Sequence, residues 1–108
     1  MARKKSIPNI AFMMEFTRKF IDEESSRLDF VLDFNYHVIQ RYDKMYRENP
    51  DAAEVIGRDM GDIVDRSENL TDDELRDELC DPYDLVLDIL PARLTEPCRF
   101  IFIQTPDY

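Results

Sequence analysis

Apolar residues recur at intervals of three or four along most of the chain, which is the period of α-helices that bury one face. A first helix is predicted over residues 8–22, where apolar side chains occupy positions 10, 13, 14, 20 and 21. The polar run at residues 23–26 ends this helix and supplies an N-cap for a second one. The pattern therefore predicts two consecutive helices in the first half of the chain.

The second helix is predicted over residues 26–48, about six turns, and is the longest element of the chain. Its predicted core face consists of Leu28, Val31, Leu32, Val38, Ile39, Tyr42 and Met45. The opposite stripe, which is expected to be exposed, consists of Asp29, Asp33, Tyr36, Gln40, Asp43 and Arg47. Tyr36 is therefore a candidate binding residue, because an exposed tyrosine among carboxylates is typical of protein-binding contacts.

A third helix is predicted to begin at Pro50, since proline favours the first helical turn and acidic residues follow it. Gly57 and Gly61 lower the helix propensity of this segment by about 1 kcal/mol each relative to alanine. With Ala53 they form a stripe of small residues along one side. The stripe predicts either the close approach of another helix or a kink in the chain.

A further helix is predicted to begin at Thr71, which can form a capping box with Glu74. Asp81 and Pro82 have the pattern of another helix start and predict a short helix over residues 82–90, although the alternation at residues 85–89 also fits a strand. Residues 98–103, which begin at Cys98, indicate a strand between two prolines. This strand could form a hairpin with residues 85–89, pair with a second copy, or pair with a partner.

The length of 108 residues suffices for one hydrophobic core, and 44% of the residues are hydrophobic. We therefore predict a mainly α, small single-domain helical bundle of four to five helices with a short C-terminal β-strand or hairpin. The domain spans residues 1–108, with residues 1–6 as a disordered basic N-terminus. No run approaches the ~18 apolar residues of a membrane span. Only two cysteines are present, which favours reduced thiols and a cytoplasmic location.

Charge is concentrated in residues 51–88, which hold fourteen carboxylates and three arginines, a net charge of −11. The other 70 residues sum to +1, since the whole chain carries −10. Helical spacing predicts two rows of displayed carboxylates on neighbouring helices. These rows are Asp59, Asp62 and Asp65 in the first helix, and Asp73, Asp77, Asp81 and Asp84 in the second, where Asp88 continues the row. Such a surface repels nucleic acid and favours basic partners.

No residue pattern indicates catalysis or cofactor binding. His37 is the only histidine and is expected to be a packing residue at the edge of the core. Cys80 and Cys98 lack the second pair of ligands that a zinc site needs. A calcium loop starting at Asp65 would place Leu70 where glycine is required. We therefore expect a protein that is not an enzyme and that needs no cofactor or metal.

The resulting hypothesis is a small acidic protein-binding module whose carboxylate rows occupy a basic nucleic-acid-binding site on a partner protein. Binding would inhibit the partner by DNA mimicry, the mechanism used by small phage or mobile-element inhibitors. The alternative is a structural or regulatory subunit that self-associates, as a homodimer, through Gly57 and Gly61 or through the 98–103 strand. In that case the acidic surface would be passive. Neither hypothesis involves direct contact with nucleic acid or a membrane.

Overall fold

The structure is a computed structural model that describes residues 7–90, and these residues are mainly helical. Helix α1 is Pro8–Ile21 and α2 is Arg27–Glu48. A third helical run, α3, consists of three consecutive segments, Pro50–Glu54, Val55–Met60 and Gly61–Asp65. A 3-10 turn at Ser67–Asn69 leads into α4, which is Asp72–Ile89. The predicted mainly α fold is confirmed, whereas the 98–103 strand lies outside the described residues.

The four helical runs surround one core. Each packs against the next along the chain, and α4 returns to pack against α1, so α2 and α4 lie diagonally across the bundle. Phe20, Phe30, Phe34 and Tyr83 are the largest fully buried side chains at the centre. Phe20 of α1 stacks on Phe30 of α2 with 4.7 Å between the ring centroids, and this contact joins the two helices.

Local sequence signals explain where most of the helices begin. Ser26 caps α2 by accepting a hydrogen bond from the Asp29 N–H, and Asn49 caps α3 by accepting one from the Ala52 N–H. The predicted capping box between Thr71 and Glu74 is present at the start of α4. These side chains satisfy backbone donors that the first turn of a helix leaves unpaired.

Pro82 does not start a new helix, and this prediction is wrong. Pro82 lies inside α4, and residues 83–89 continue as helix rather than forming a short separate helix or a strand. Proline in a helix interior removes one backbone hydrogen bond and costs about 3 kcal/mol. The buried side chains of Leu79, Tyr83, Val86 and Leu87 on both sides of Pro82 offset this cost, because together they form the core face of α4.

The small residues of α3 are accommodated by a change in helix type. Val55–Met60 forms a π-helical turn inside the run, and the ring of Tyr42 from α2 packs on Gly57. A Cβ atom added at Gly57 would lie 2.8 Å from Tyr42 Cε1, whereas one added at Gly61 would meet nothing within 4 Å. The close approach predicted at this stripe thus occurs within the chain at Gly57.

The predicted core face of α2 requires correction. Leu28 and Leu32 are each 66% exposed and Ile39 is 76% exposed, whereas Phe30 and Phe34 are fully buried. The buried side of the helix is turned by about 100° from the one predicted, since each residue advances about 100° around the axis. Met45 is fully buried as predicted, and Val31, Val38 and Tyr42 are half-buried against the core. Two apolar stripes compete on α2, and the stripe with the larger aromatic side chains forms the core.

Cys80 is buried in the core face of α4, as its apolar neighbours imply. Cys98, the second cysteine of the chain, lies outside the described residues.

Candidate protein-binding surfaces

The carboxylates predicted on the last helix form a displayed row, the α4 acidic row, which consists of Asp73, Asp77, Asp81 and Asp84. Asp73, Asp77 and Asp81 are exposed and Asp84 is half-buried. The four positions lie within a sector of about 80° because they are spaced by three or four residues. Helix α4 carries eight carboxylates and one arginine, a net charge of −7 over 18 residues. At about 1.5 Å per residue this helix is about 27 Å long.

The single arginine of α4 is held away from most of this row. The Arg76 guanidinium stacks 4.8 Å from the centroid of the Phe20 ring and donates a hydrogen bond to the Phe20 carbonyl oxygen. Its ion pair with Asp73 is 3.3 Å long, yet the Asp73 side chain remains 96% exposed. Packing against α1 therefore occupies the arginine and leaves the carboxylate facing solvent.

The α3 acidic row, Asp59, Asp62 and Asp65, is exposed but more strongly paired. Arg66 donates to Asp62 at 3.1 Å and reaches Glu78 of α4 at 3.3 Å. The hydrogen bond that Arg66 donates to the Asp62 carboxylate raises the pKa of Arg66, which stays charged between the two acids. Asp65 accepts a hydrogen bond from Asn35 of α2 at 3.3 Å. The charge of this row is thus partly compensated.

The two rows do not share one face of the molecule. Arg66 connects α3 to Glu78, so Glu78 marks the flank of α4 that faces α3. The α4 acidic row lies about 100° around the helix from Glu78. The rows therefore present two separate acidic surfaces, and the α4 acidic row holds four carboxylates where the α3 acidic row holds three.

Tyr36 is 59% exposed, as predicted. Its ring and the ring of His37 are arranged edge to face, with 5.5 Å between their centroids. It belongs to a different surface from both acidic rows. Five of the six large hydrophobic side chains that are exposed among residues 7–90 lie on α2. We call these five residues the α2 outer face: Leu28, Leu32, Tyr36, Ile39 and Tyr46.

The apolar pattern of α2 did not predict the α2 outer face, because Leu28, Leu32 and Ile39 fit the predicted core face. A signal for the alternative was present, since Phe30, Phe34, His37, Arg41 and Met45 also follow helical spacing. The Arg41 guanidinium lies 3.7 Å from the centroid of the Phe12 ring, which lets a charged residue belong to the packed side.

His37 occupies the packing position that its sequence context predicted. Its ring is half-buried, with its centroid 4.9 Å from the ring centroids of both Phe12 and Phe16. Within residues 7–90, no three His, Cys, Asp or Glu side chains converge in a way that could hold a metal ion. The segment tested as a calcium loop contains the 3-10 turn Ser67–Asn69 and the Thr71 cap of α4.

In the described part of the chain, none of the helices combines the length and apolar character needed to cross a membrane. Comparison of the chain with protein-family models, with curated proteins and with solved structures found no match.

Proposed function

We propose that this chain is a non-catalytic protein-binding module that uses the α4 acidic row to occupy a basic site on a partner protein. The supporting observation is a set of carboxylates displayed on one side of a rigid helix, with the only arginine of that helix stacked on α1. Asp73 and Asp84 are separated by about 16 Å along the axis, so adjacent carboxylates of the row are about 5 Å apart. A DNA strand carries one phosphate per ~3.4 Å, so the spacings are comparable.

The partner that best fits this surface is a nucleic-acid-binding protein, and the consequence of binding is inhibition by DNA mimicry. A groove that binds phosphates offers lysine and arginine side chains at similar intervals. The packed helix holds its carboxylates in place before binding, which reduces the ordering cost of association. The core supports this arrangement, since Leu75, Leu79 and Val86 anchor the opposite side of α4.

The self-association alternative through Gly57 and Gly61 receives less support. Tyr42 of the same chain already covers Gly57, and Gly61 is buried. A second copy would have to displace Tyr42 to reach the stripe. The other suggested route, the 98–103 strand, lies outside the described residues.

The experiment has two stages. A pull-down from native lysate identifies the basic partner, and its affinity is then measured over a salt series with duplex DNA as competitor. We expect affinity to fall steeply with salt and DNA to displace the chain. A ternary complex in which DNA and this chain occupy the partner together would refute DNA mimicry.

A matched pair of double variants tests which surface binds. Asp73→Asn with Asp81→Asn removes two charges from the α4 acidic row, whereas Asp33→Asn with Asp43→Asn removes two exposed charges from α2. We expect the first pair to weaken binding at least about 10-fold and the second to change it less than about 3-fold. Equal losses would show that net charge, and not the α4 acidic row, governs binding.

A further inference from the structure

The α2 outer face holds five of the six large hydrophobic side chains that are exposed among residues 7–90. Its five side chains expose about 600 Å², taking roughly 180 Å² for a fully exposed leucine or isoleucine and roughly 220 Å² for tyrosine. This area is at the upper end of the range of about 300–600 Å² for the largest apolar patch on a typical monomer, and such patches are often functional. The face extends along most of the 22-residue helix, from Leu28 near its start to Tyr46 near its end.

We propose that the α2 outer face binds the same face of a second copy of this chain, with the two α2 helices antiparallel. Pairing two such faces removes up to about 1,200 Å² of surface, which is the lower limit of specific interfaces, and rim residues would add to it. A two-fold axis near the middle of α2 then places Leu28 and Leu32 of one protomer near Tyr46 and Ile39 of its partner. Apolar side chains line both halves, so the face is complementary to itself.

Charge selects the antiparallel orientation. The exposed flank beside the face carries only acids in its N-terminal half, Asp29 and Asp33, whereas the C-terminal half holds Lys44 and Arg47 together with Asp43. A two-fold axis perpendicular to the helices sets Asp29 of one protomer opposite Arg47 of the other. Parallel helices would instead set each of these charges opposite its own copy. Opposed helix dipoles add to the same preference.

This dimer is compatible with the function proposed above and does not depend on it. Because α2 and α4 lie diagonally across the bundle, the α4 acidic row points away from the α2 outer face. Each dimer therefore presents two acidic rows on its outer sides. Two linked binding sites raise the apparent affinity for a partner that itself has two basic sites.

Sedimentation equilibrium of the complete chain tests the interface. We expect a species of twice the 12.9 kDa chain mass at micromolar concentration. Leu32→Asp and Ile39→Asp place a charge in the face and are expected to raise the dimer dissociation constant at least about 30-fold. Leu85→Asp is the matched control, because Leu85 is a 45% exposed leucine on α4, outside the α2 outer face. That variant is expected to remain dimeric.

Orientation is tested by exchanging charges. Asp29→Lys or Arg47→Glu alone is expected to weaken an antiparallel dimer, and the double variant is expected to recover most of the loss, since each new lysine then faces a new glutamate. Far-UV circular dichroism confirms that each variant is folded. The double variant keeps the apolar face intact, so this measurement remains decisive if an aspartate within the face prevents folding.

Three results would overturn the proposal. One is a wild-type chain that stays monomeric up to about 100 μM, since specific interfaces of this class bind at micromolar concentration or tighter. Another is a dimer that survives both Leu32→Asp and Ile39→Asp, because a different surface would then hold it together. The third is an absence of recovery in the charge-exchanged double variant.

Discussion

Gly57 and Gly61 have the same helix propensity and lie one turn apart in α3, but their surroundings differ. The Tyr42 ring covers Gly57, whereas space is open where a side chain at Gly61 would begin. Glu48 illustrates the same dependence on environment. It is the last residue of α2, and it accepts hydrogen bonds from the backbone N–H groups of Asn9 and Ile10 at 3.0 and 2.9 Å. A residue at one helix end thus caps the start of another helix.

Alanine at these two glycines should have different effects on stability. Gly61→Ala is expected to raise the free energy of unfolding by about 1 kcal/mol, because alanine favours the helix and fills open space. Gly57→Ala is expected to be less stable than Gly61→Ala by about 1–3 kcal/mol, since its Cβ atom overlaps Tyr42. Urea unfolding at one fixed protein concentration compares the two. Equal gains at both positions would contradict the packing of Tyr42 on Gly57.

Removing the carboxylate of Glu48 should destabilise the fold. Helix α1 has no side-chain cap of its own, and Glu48 also accepts a hydrogen bond from Asn9 Nδ2 at 2.7 Å. Glu48→Ala is expected to lower the free energy of unfolding by about 2 kcal/mol. Glu54→Ala is the control, because the exposed Glu54 makes a surface ion pair of 3.6 Å with the still more exposed Arg58. This variant is expected to change the free energy of unfolding by less than about 0.5 kcal/mol. Thermal unfolding of both variants distinguishes the loss of the helix cap from the effect of removing one negative charge.

At the scale of elements, α4 shows a conflict between local stability and charge. Its N-terminal turn holds Asp72, Asp73 and Glu74, which interact favourably with the positive end of the helix dipole. Its last turn contains Asp88 and no basic residue, so a carboxylate lies at the negative end. An acidic helix selected for stability alone would carry a cation there. Helix stability explains the acids at the start of α4 but not Asp88 at its end. The carboxylates at the C-terminal end of α4 are therefore the stronger indication of a binding role.

A lysine scan along α4 should reveal this conflict. Asp88→Lys is expected to raise the free energy of unfolding by about 0.5–1 kcal/mol, whereas Asp73→Lys is expected to lower it by a similar amount. Asp81→Lys, near the middle of the helix, removes the same repulsion without a dipole contribution. Its free energy of unfolding should lie between those of the other two variants. Chemical denaturation at low ionic strength ranks the three variants by their free energy of unfolding. An equal gain at all three sites would mean that repulsion among the acids, and not the dipole, dominates.

At the scale of the whole molecule, the bundle separates two kinds of surface. Positions 51–88 carry a net charge of −11 on α3, α4 and the turn between them, while α2, which packs beside α3 and lies diagonally across from α4, exposes its apolar outer face. Like charges at this density repel one another, and the shared core must offset that repulsion. The α4 acidic row and the α2 outer face therefore lie on opposite sides of the bundle, whereas the α3 acidic row adjoins α2 through the Asn35–Asp65 hydrogen bond.

Salt should therefore stabilise the protein. Raising the ionic strength from about 0.05 M to about 0.5 M shortens the Debye length below the spacing of most carboxylates, so the melting temperature is expected to increase. The Asp73→Asn, Asp81→Asn variant should show a smaller increase, because less repulsion remains to be screened. Differential scanning calorimetry at constant protein concentration measures both. A melting temperature that falls with salt would mean that ion pairs such as Arg66–Asp62 outweigh the repulsion.

Local signals in the sequence determined most of the helices, the Thr71–Glu74 cap and the exposure of the acidic rows, because capping and carboxylate hydration depend on residues that are near in the chain. Tertiary structure decided what local signals leave open. Helix α2 has two apolar stripes, and packing against α1 and α3 buried the aromatic one and left Leu28 and Ile39 exposed. Packing likewise kept Pro82 inside α4, since burying the core face on both sides of it outweighs one missing hydrogen bond.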